Sequence, residues 1–193
     1  MSQSYWKKEI CTIPNLLSLF RLLLIPVYLK IYLHAEKSYD FILAGTILAL
    51  SCLTDLADGI IAREFHMISK IGKILDPLAD KLTQFFLLLS LSEKHRMLYP
   101  MLALFTLKEL FQMGFLLFFA QKGKVLSGAL NAGKLCTAAL FISLTILVLF
   151  PQLDNTLIFV LVLSDTVLLF YAFYNYYLAY FGRNTKLIDL EAD

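Results

Sequence analysis

Cysteine is scarce in this chain and never falls at metal-ligand spacing: Cys11, Cys52 and Cys136 stand far apart. They read as apolar fillers rather than as a disulfide framework or a zinc site. Histidine is as scarce. His34, His66 and His95 lie near the ends of apolar runs, no two at ligating spacing, and surface solvation accounts for them. Neither sign of charge dominates. Seventeen Lys and Arg face 15 Asp and Glu, a formal net charge of +2, so bulk charge points to no nucleic-acid partner. Internal repeats, linkers and low-complexity tracts are missing too. No cleavable leader is expected, because Trp6, Lys7, Lys8 and Glu9 precede the first apolar run and no small-residue cleavage pattern follows it.

Apolar sequence is what the chain has in plenty. Hydrophobic residues make up 59% of its 193 positions, and a soluble domain of this size cannot bury so many. A membrane-crossing helix needs about 20 mostly apolar residues. Six runs qualify, at about 16–34, 40–63, 73–92, 98–120, 132–150 and 155–180. The expected fold is therefore all-α and integral to a membrane, one domain over 1–193 with six transmembrane helices. A short interfacial helix over residues 3–12 would precede them, with Trp6 at headgroup level and Lys7 and Lys8 facing lipid phosphates. Pro100 and Pro151 punctuate the fourth and fifth runs. The tail from Phe181 is expected to fray into water.

Lysine and arginine in the connections set the orientation. With a cytoplasmic N-terminus, Lys7, Lys8, Arg63, Lys70, Lys73, Lys122, Lys124, Lys134, Arg183 and Lys186 fall inside, ten against the four outside, Lys30, Lys37, Lys94 and Arg96. Both termini are expected in the cytoplasm. Asp55 and Asp58 then end the second span near the cytoplasmic face, and Asp76 and Asp80 begin the third near the same face.

Charged groups at membrane depth are costly and mark functional sites. Asp55 and Asp58 are three apart, Asp76 and Asp80 four apart, so each pair shares a helix face. Gly59 and Ala62 keep the first face small, and Gly72 opens the third span. Four carboxylates need compensating charge, and Arg63, Lys73 and Lys81 are nearby cations. Oxygen-only ligands also suit Mg²⁺ or Mn²⁺. Two such ions can clamp the attacking and leaving oxygens of a phosphoryl displacement, and a carboxylate not consumed by metal can take a proton from an alcohol. The plainer alternative is that the aspartates are helix glue paired with Lys or Arg.

The pattern Asp55-x2-Asp58-Gly59-x2-Ala62-Arg63-x8-Gly72-x3-Asp76-x3-Asp80 resembles, without a departure, the signature of the CDP-alcohol phosphotransferases. Ile13-Pro14-Asn15 through Arg21, Leu75 through Lys81, and Gly133-Lys134-Leu-Cys-Thr137 are similar to bacterial phosphatidylglycerophosphate synthases and the related cardiolipin synthases. The resemblance implies a six-helix membrane enzyme, usually a homodimer. It would move a phosphatidyl group from CDP-diacylglycerol to an alcohol and release CMP. It implies a site for two divalent cations, Mg²⁺ or Mn²⁺, on Asp55, Asp58, Asp76 and Asp80, with Asp80 as general base. The CDP group would be held by Asp58, Gly59, Ala62, Arg63, Gly72 and Asp76.

The acceptor is less legible. Arg21, Lys108 and Lys134 are candidate acceptor contacts. Arg21 either reaches a substrate phosphate or snorkels to the interface. Lys134 either binds the acceptor phosphate or is an ordinary positive-inside lysine. Lys108-Glu109 departs from a common bacterial Arg-Glu pair, and Lys cannot make the arginine fork. Adjacent helix residues face different directions, so a structural role for this pair also stands. The expected acceptor is sn-glycerol 3-phosphate; phosphatidylglycerol, as in cardiolipin synthesis, is the near rival. A cation channel or carrier is the remote one, since four carboxylates gather at one depth and only Asp165 lies far from them. Asp165 reads as helix glue or a dimer contact. The tyrosines from Tyr171 to Tyr180 read as an interfacial belt. Phe85, Phe86 and the run Phe115–Phe119 read as lipid-facing surface or acyl-chain lining. The bacterial plasma membrane is the expected location.

Overall fold

The computed structural model describes residues 12–64, 72–122, 124–126, 131–181 and 187–189. The expected interfacial helix over 3–12 lies outside these residues but for its last position. Six long helices run through the described residues: α1 (Ile13–Leu33), α2 (Ser38–Glu64), α3 (Gly72–Lys94), α4 (Tyr99–Gln121), α5 (Asn131–Leu149) and α6 (Asn155–Phe181). Their bounds fall within three residues of the runs read from hydropathy. A 3₁₀ turn, Arg96–Leu98, leads into α4.

Local chemistry sets the helix ends. Pro14 lies in the first turn of α1, where its missing N–H costs nothing. The Asp40 carboxylate accepts from the backbone N–H groups of Glu36 and Lys37 at 3.2 and 3.0 Å, closing the start of α2 as an N-terminal acid does. Asp154 accepts from the Thr156 N–H at 3.0 Å and caps α6. The Thr156 side chain and N–H hold the Asp154 carboxyl below its usual range.

Among the described residues, four stretches are long and apolar enough to cross a membrane: Ile13–Leu33, Arg96–Phe119, Asn131–Leu149 and Asn155–Phe181. The other two long helices, α2 and α3, hold the aspartates, whose charge dilutes their hydropathy. Leu23, Leu107, Leu110 and Ile142 turn outward from their helices, an apolar surface of the kind a bilayer covers. The chain is a predominantly helical membrane protein.

The chain folds as two compact units. The first comprises residues 1–91 and 145–151. In it the buried face of α1 runs Asn15, Ser18, Arg21, Ile25, Tyr28, Tyr32, a helical stripe that is polar at its N-terminal half and aromatic beyond. Tyr28 and Tyr32 stack with ring centres 5.5 Å apart, and Phe41 of α2 meets Tyr32 edge-on at 5.9 Å. The Tyr28 and Ser90 hydroxyls are 3.0 Å apart, joining α1 to α3.

The second unit comprises residues 92–144 and 152–193. In it α4 packs on α6 through aromatic pairs: Phe111 with Phe173 at 4.6 Å and Phe119 stacked on Tyr180 at 5.2 Å. Two expectations are corrected here. Tyr176 and Tyr180 are buried under Phe115 and Phe119, not arrayed in an interfacial belt, because they lie on the α6 face that meets α4; Tyr171, Tyr174 and Tyr177 do face outward. The tail does not simply fray: Leu187–Asp189 pairs antiparallel with Lys124–Leu126, placing Val125 opposite Ile188. β-branched residues favour such pairing.

Candidate functional site

Three helices of the first unit bring the site together. α2 presents Asp55 and Asp58 one turn apart, and α3 presents Asp76 and Asp80 likewise. α1 lays its polar half-stripe against both. Arg21 is the centre of the cluster. Its Nη2 lies 2.7 Å from Asp55 Oδ1 and 2.7 Å from Asp58 Oδ2, and its Nη1 donates to Asp80 Oδ1. One planar fork thereby joins the carboxylates of two helices, a geometry that arginine provides and lysine does not. Three residues earlier, Ser18 Oγ contacts Asp76 Oδ1 and lies 3.4 Å from Asp58 Oδ2 and 3.1 Å from the Pro14 carbonyl. A hydroxyl has one proton, so Ser18 serves one of these acceptors at a time.

Burial divides the cluster into a floor and a rim. Arg21 and Asp58 form the floor, with side chains 2% and 5% exposed. Asp55 and Asp80 form the rim at 43% and 41% exposed. A ligand approaching the cluster meets Asp55 and Asp80 first. Gly59, Ala62 and Arg63 follow on the last turns of α2, and Gly72 opens α3. The side chains of Ala62, Arg63 and Lys73 lie outside the described residues.

Helical spacing puts each aspartate pair on one face. What the two pairs meet around, Arg21, is not contained in that spacing. Arg21 was expected at a substrate phosphate or at the membrane interface. The second alternative is corrected, because its guanidinium is enclosed by carboxylates. Ser18 is a further member of the site, and Asn15 is buried one turn earlier on the same face of α1. The signal for them was present: Asn15, Ser18 and Arg21 recur every three residues on one face of an otherwise apolar helix.

The donor set is oxygen throughout, which suits hard divalent cations. The carboxylates of α2 and α3 already surround a positive group, so the position favours a cation. Among the described residues, no three acidic, histidine or cysteine side chains stand close enough to hold one ion as they are. The cluster fits divalent cations in chemistry and charge, and a guanidinium stands among its carboxylates.

The second unit holds the other candidates. Lys108 is buried, with Nζ 2.6 Å from Glu109 Oε1 and 5.5 Å from the centre of the Tyr176 ring, within reach of a cation–π contact. Adjacent residues on a helix were expected to diverge. The two long side chains nevertheless curl together, the buried Lys108 ammonium meeting the partly exposed Glu109 carboxylate. Lys134 is exposed in the first turn of α5. Asp165, on α6, is buried and accepts from Ser143 Oγ of α5 at 3.2 Å, which is the helix contact expected of it.

Residues 11–178 match a family described as CDP-alcohol phosphatidyltransferase. The chain is similar to a CDP-diacylglycerol–glycerol-3-phosphate 3-phosphatidyltransferase of Aquifex aeolicus, 48% identical over 79 residues, 40% of this chain and 42% of that protein. A protein of the same name from Pseudomonas fluorescens is 34% identical over 83 residues, 43% of this chain and 42% of the relative. A cardiolipin synthase (CMP-forming) of Streptomyces coelicolor is 41% identical over 78 residues, 38% of this chain and 35% of the relative. The chain thus spans about two fifths of the length of the curated relatives it matches.

Proposed function

Because this chain belongs to the CDP-alcohol phosphatidyltransferase family, we propose that it transfers a phosphatidyl group from CDP-diacylglycerol to sn-glycerol 3-phosphate. The products are phosphatidylglycerophosphate and CMP. The observation that carries this reading is the convergence of Asp55, Asp58, Asp76 and Asp80, from two helices, on the polar stripe of α1. The names of the relatives from Aquifex aeolicus and Pseudomonas fluorescens support the choice of acceptor.

The chain's residues divide the work. Asp55, Asp58, Asp76 and Asp80 would hold two divalent cations, Mg²⁺ or Mn²⁺. When bound, these ions neutralise charge on the diphosphate and on the departing CMP. Asp58, Gly59, Ala62, Arg63, Gly72 and Asp76 hold the CDP group. The small residues admit the nucleotide close to the backbone, and the first N–H groups of α3 favour an anion. Asp80, on the rim, accepts the proton of the attacking hydroxyl. That oxygen forms a new bond to the phosphorus that carries diacylglycerol, the bond from that phosphorus to CMP breaks, and the electron pair leaves with CMP. Arg21, Lys108 and Lys134 are the proposed contacts for the acceptor phosphate.

In this reading α2 and α3 also cross the membrane, giving six spans. At about 1.5 Å per residue, the 27 residues of α2 are long enough. The lysine and arginine balance supports a cytoplasmic position for both termini and the site, and the reading includes a bacterial plasma membrane and a homodimer as the working unit.

The test incubates the purified full chain with CDP-diacylglycerol, Mg²⁺ or Mn²⁺, and each acceptor separately. CMP release and phosphatidylglycerophosphate are expected with sn-glycerol 3-phosphate, and chelation should abolish both. Product with phosphatidylglycerol alone would reject this acceptor in favour of cardiolipin synthesis, the reading favoured by the Streptomyces coelicolor relative. An Asp80→Asn protein that still releases CMP but has lost an ion flux would return the site to a channel.

A further inference from the structure

We propose that Arg21 is the resident counter-ion of the carboxylate cluster, and that a divalent cation enters by displacing its guanidinium. The proposal rests on the reading that these carboxylates take divalent cations. It goes beyond that reading in assigning a residue on a third helix, α1, control over how tightly they do so.

Charge is the first argument. Four carboxylates meet in a pocket whose floor is almost sealed from water, and like charges there repel with little screening. Arg21, 2% exposed, sits among them and pairs with three: Asp55, Asp58 and Asp80. It therefore does, before any metal arrives, part of what a metal would do. Without it the metal-free helices α2 and α3 would push their acidic faces apart.

Shape is the second argument. A divalent ion such as Mg²⁺ needs its oxygens at about 2.0–2.1 Å from one centre. The guanidinium instead spreads its partners around a flat fork. Nη2 holds the two carboxylates of α2 at 2.7 Å, while Nη1 holds Asp80 of α3. With the fork between them, no three described acidic side chains are close enough for one ion. The cation and the fork need the same oxygens and the same space. The remaining nitrogen of the fork, Nε, is buried without a hydrogen-bond partner, so one of its five N–H groups contributes nothing to holding it there.

The consequence is a competition. Every carboxylate oxygen that turns to a metal ion is withdrawn from Arg21, so the measured metal affinity is the intrinsic affinity reduced by the cost of dislodging the guanidinium. Substituting Arg21 should raise affinity for the ion and lower the stability of the metal-free protein. A residue that merely packed the helices would change stability alone.

The experiment uses the full chain, purified in detergent, stripped with chelator and titrated with Mn²⁺ in the absence of substrate. Bound Mn²⁺ is read from loss of the free-ion EPR signal, and stability from thermal melting. Arg21→Met is expected to bind the first Mn²⁺ at least about tenfold more tightly than wild type. Its metal-free form should melt lower, and saturating Mn²⁺ should close most of that gap. Arg21→Lys keeps the charge but cannot span both helices, and it should fall between the two. Unchanged or weaker Mn²⁺ binding in Arg21→Met overturns the proposal. If Arg21→Met folds only with Mn²⁺ present, that supports it. If Arg21→Met does not fold at all, Arg21→Lys decides: tighter binding than wild type supports the proposal and equal binding overturns it. Absence of Mn²⁺ binding in wild type would instead reject the metal reading of the site.

Discussion

Arg21 of α1 and Asp58 of α2 form an ion pair of 2.7 Å with both side chains enclosed, 2% and 5% exposed. Both belong to helices rich in apolar residues, and neither has much water to fall back on. Such a pair is weak grounds for stability, because desolvation cancels much of the attraction. It is better grounds for specificity. The pair fixes which face of α1 meets α2, the face on which Ser18 lies beside Asp58 and Asp76.

The excess of carboxylate over guanidinium separates activity from stability at the rim. Asp80→Asn keeps the shape and removes one repelling charge. CMP release should fall at least about a hundredfold if Asp80 is the base. The metal-free protein should melt no lower than wild type, because functional sites often hold charge at the expense of stability. A clear drop in Tm would assign Asp80 to helix glue instead.

Two glycines predict opposite tolerance. A Cβ on Gly133 would lie 2.6 Å from the Tyr176 hydroxyl, at the end of a buried, rigid ring. Gly133→Ala should destabilise by about 1–3 kcal/mol through overpacking. A Cβ on Gly45 would lie 2.2 Å from Leu149 Cδ2, but that methyl is the far end of a half-exposed side chain that can rotate away. Alanine also favours helix over glycine by about 1 kcal/mol. Gly45→Ala should therefore leave Tm nearly unchanged, and thermal melting of the two variants side by side checks the contrast.

Asp165 and Ser143 are expected to be structural. Asp165→Asn retains an acceptor for the Ser143 hydroxyl, 3.2 Å away, and should change stability by less than about 0.5 kcal/mol. Asp165→Leu loses the bond and should cost about 1 kcal/mol. Neither should alter kcat once folded protein is counted. A selective loss of kcat in Asp165→Asn would place this carboxyl in the chemistry.

Lys108 is open to a kinetic test because its two proposed roles move different quantities. As a contact for the acceptor phosphate, Lys108→Ala should raise KM for sn-glycerol 3-phosphate by about tenfold, an ionic hydrogen bond being worth about 1.5–3 kcal/mol, and leave KM for CDP-diacylglycerol alone. A fall in Tm with both KM values unchanged would confine Lys108 to its Glu109 ion pair and its Tyr176 contact.

Much of this protein is determined by local rules. Runs of apolar residues placed all six long helices to within a few positions, because helix length and hydropathy depend on near neighbours. The three- and four-residue spacings put each aspartate pair on one face for the same reason. Asn15, Ser18 and Arg21 also share a face by spacing alone. What a local rule does not contain is the partner across a helix interface. That Arg21 turns inward to three carboxylates, that Lys108 curls onto Glu109 beneath Tyr176, that Ser143 answers Asp165, and that Leu187–Asp189 pairs with Lys124–Leu126 were all decided by tertiary structure. In each case a charged or hydrogen-bonding group takes the partner that packing brings within reach, and that partner lies as many as 65 residues away along the chain, as from Lys124 to Asp189. The sequence by itself therefore settled that costly charges meet at one level. Only the folded chain settled that a guanidinium stands in their midst.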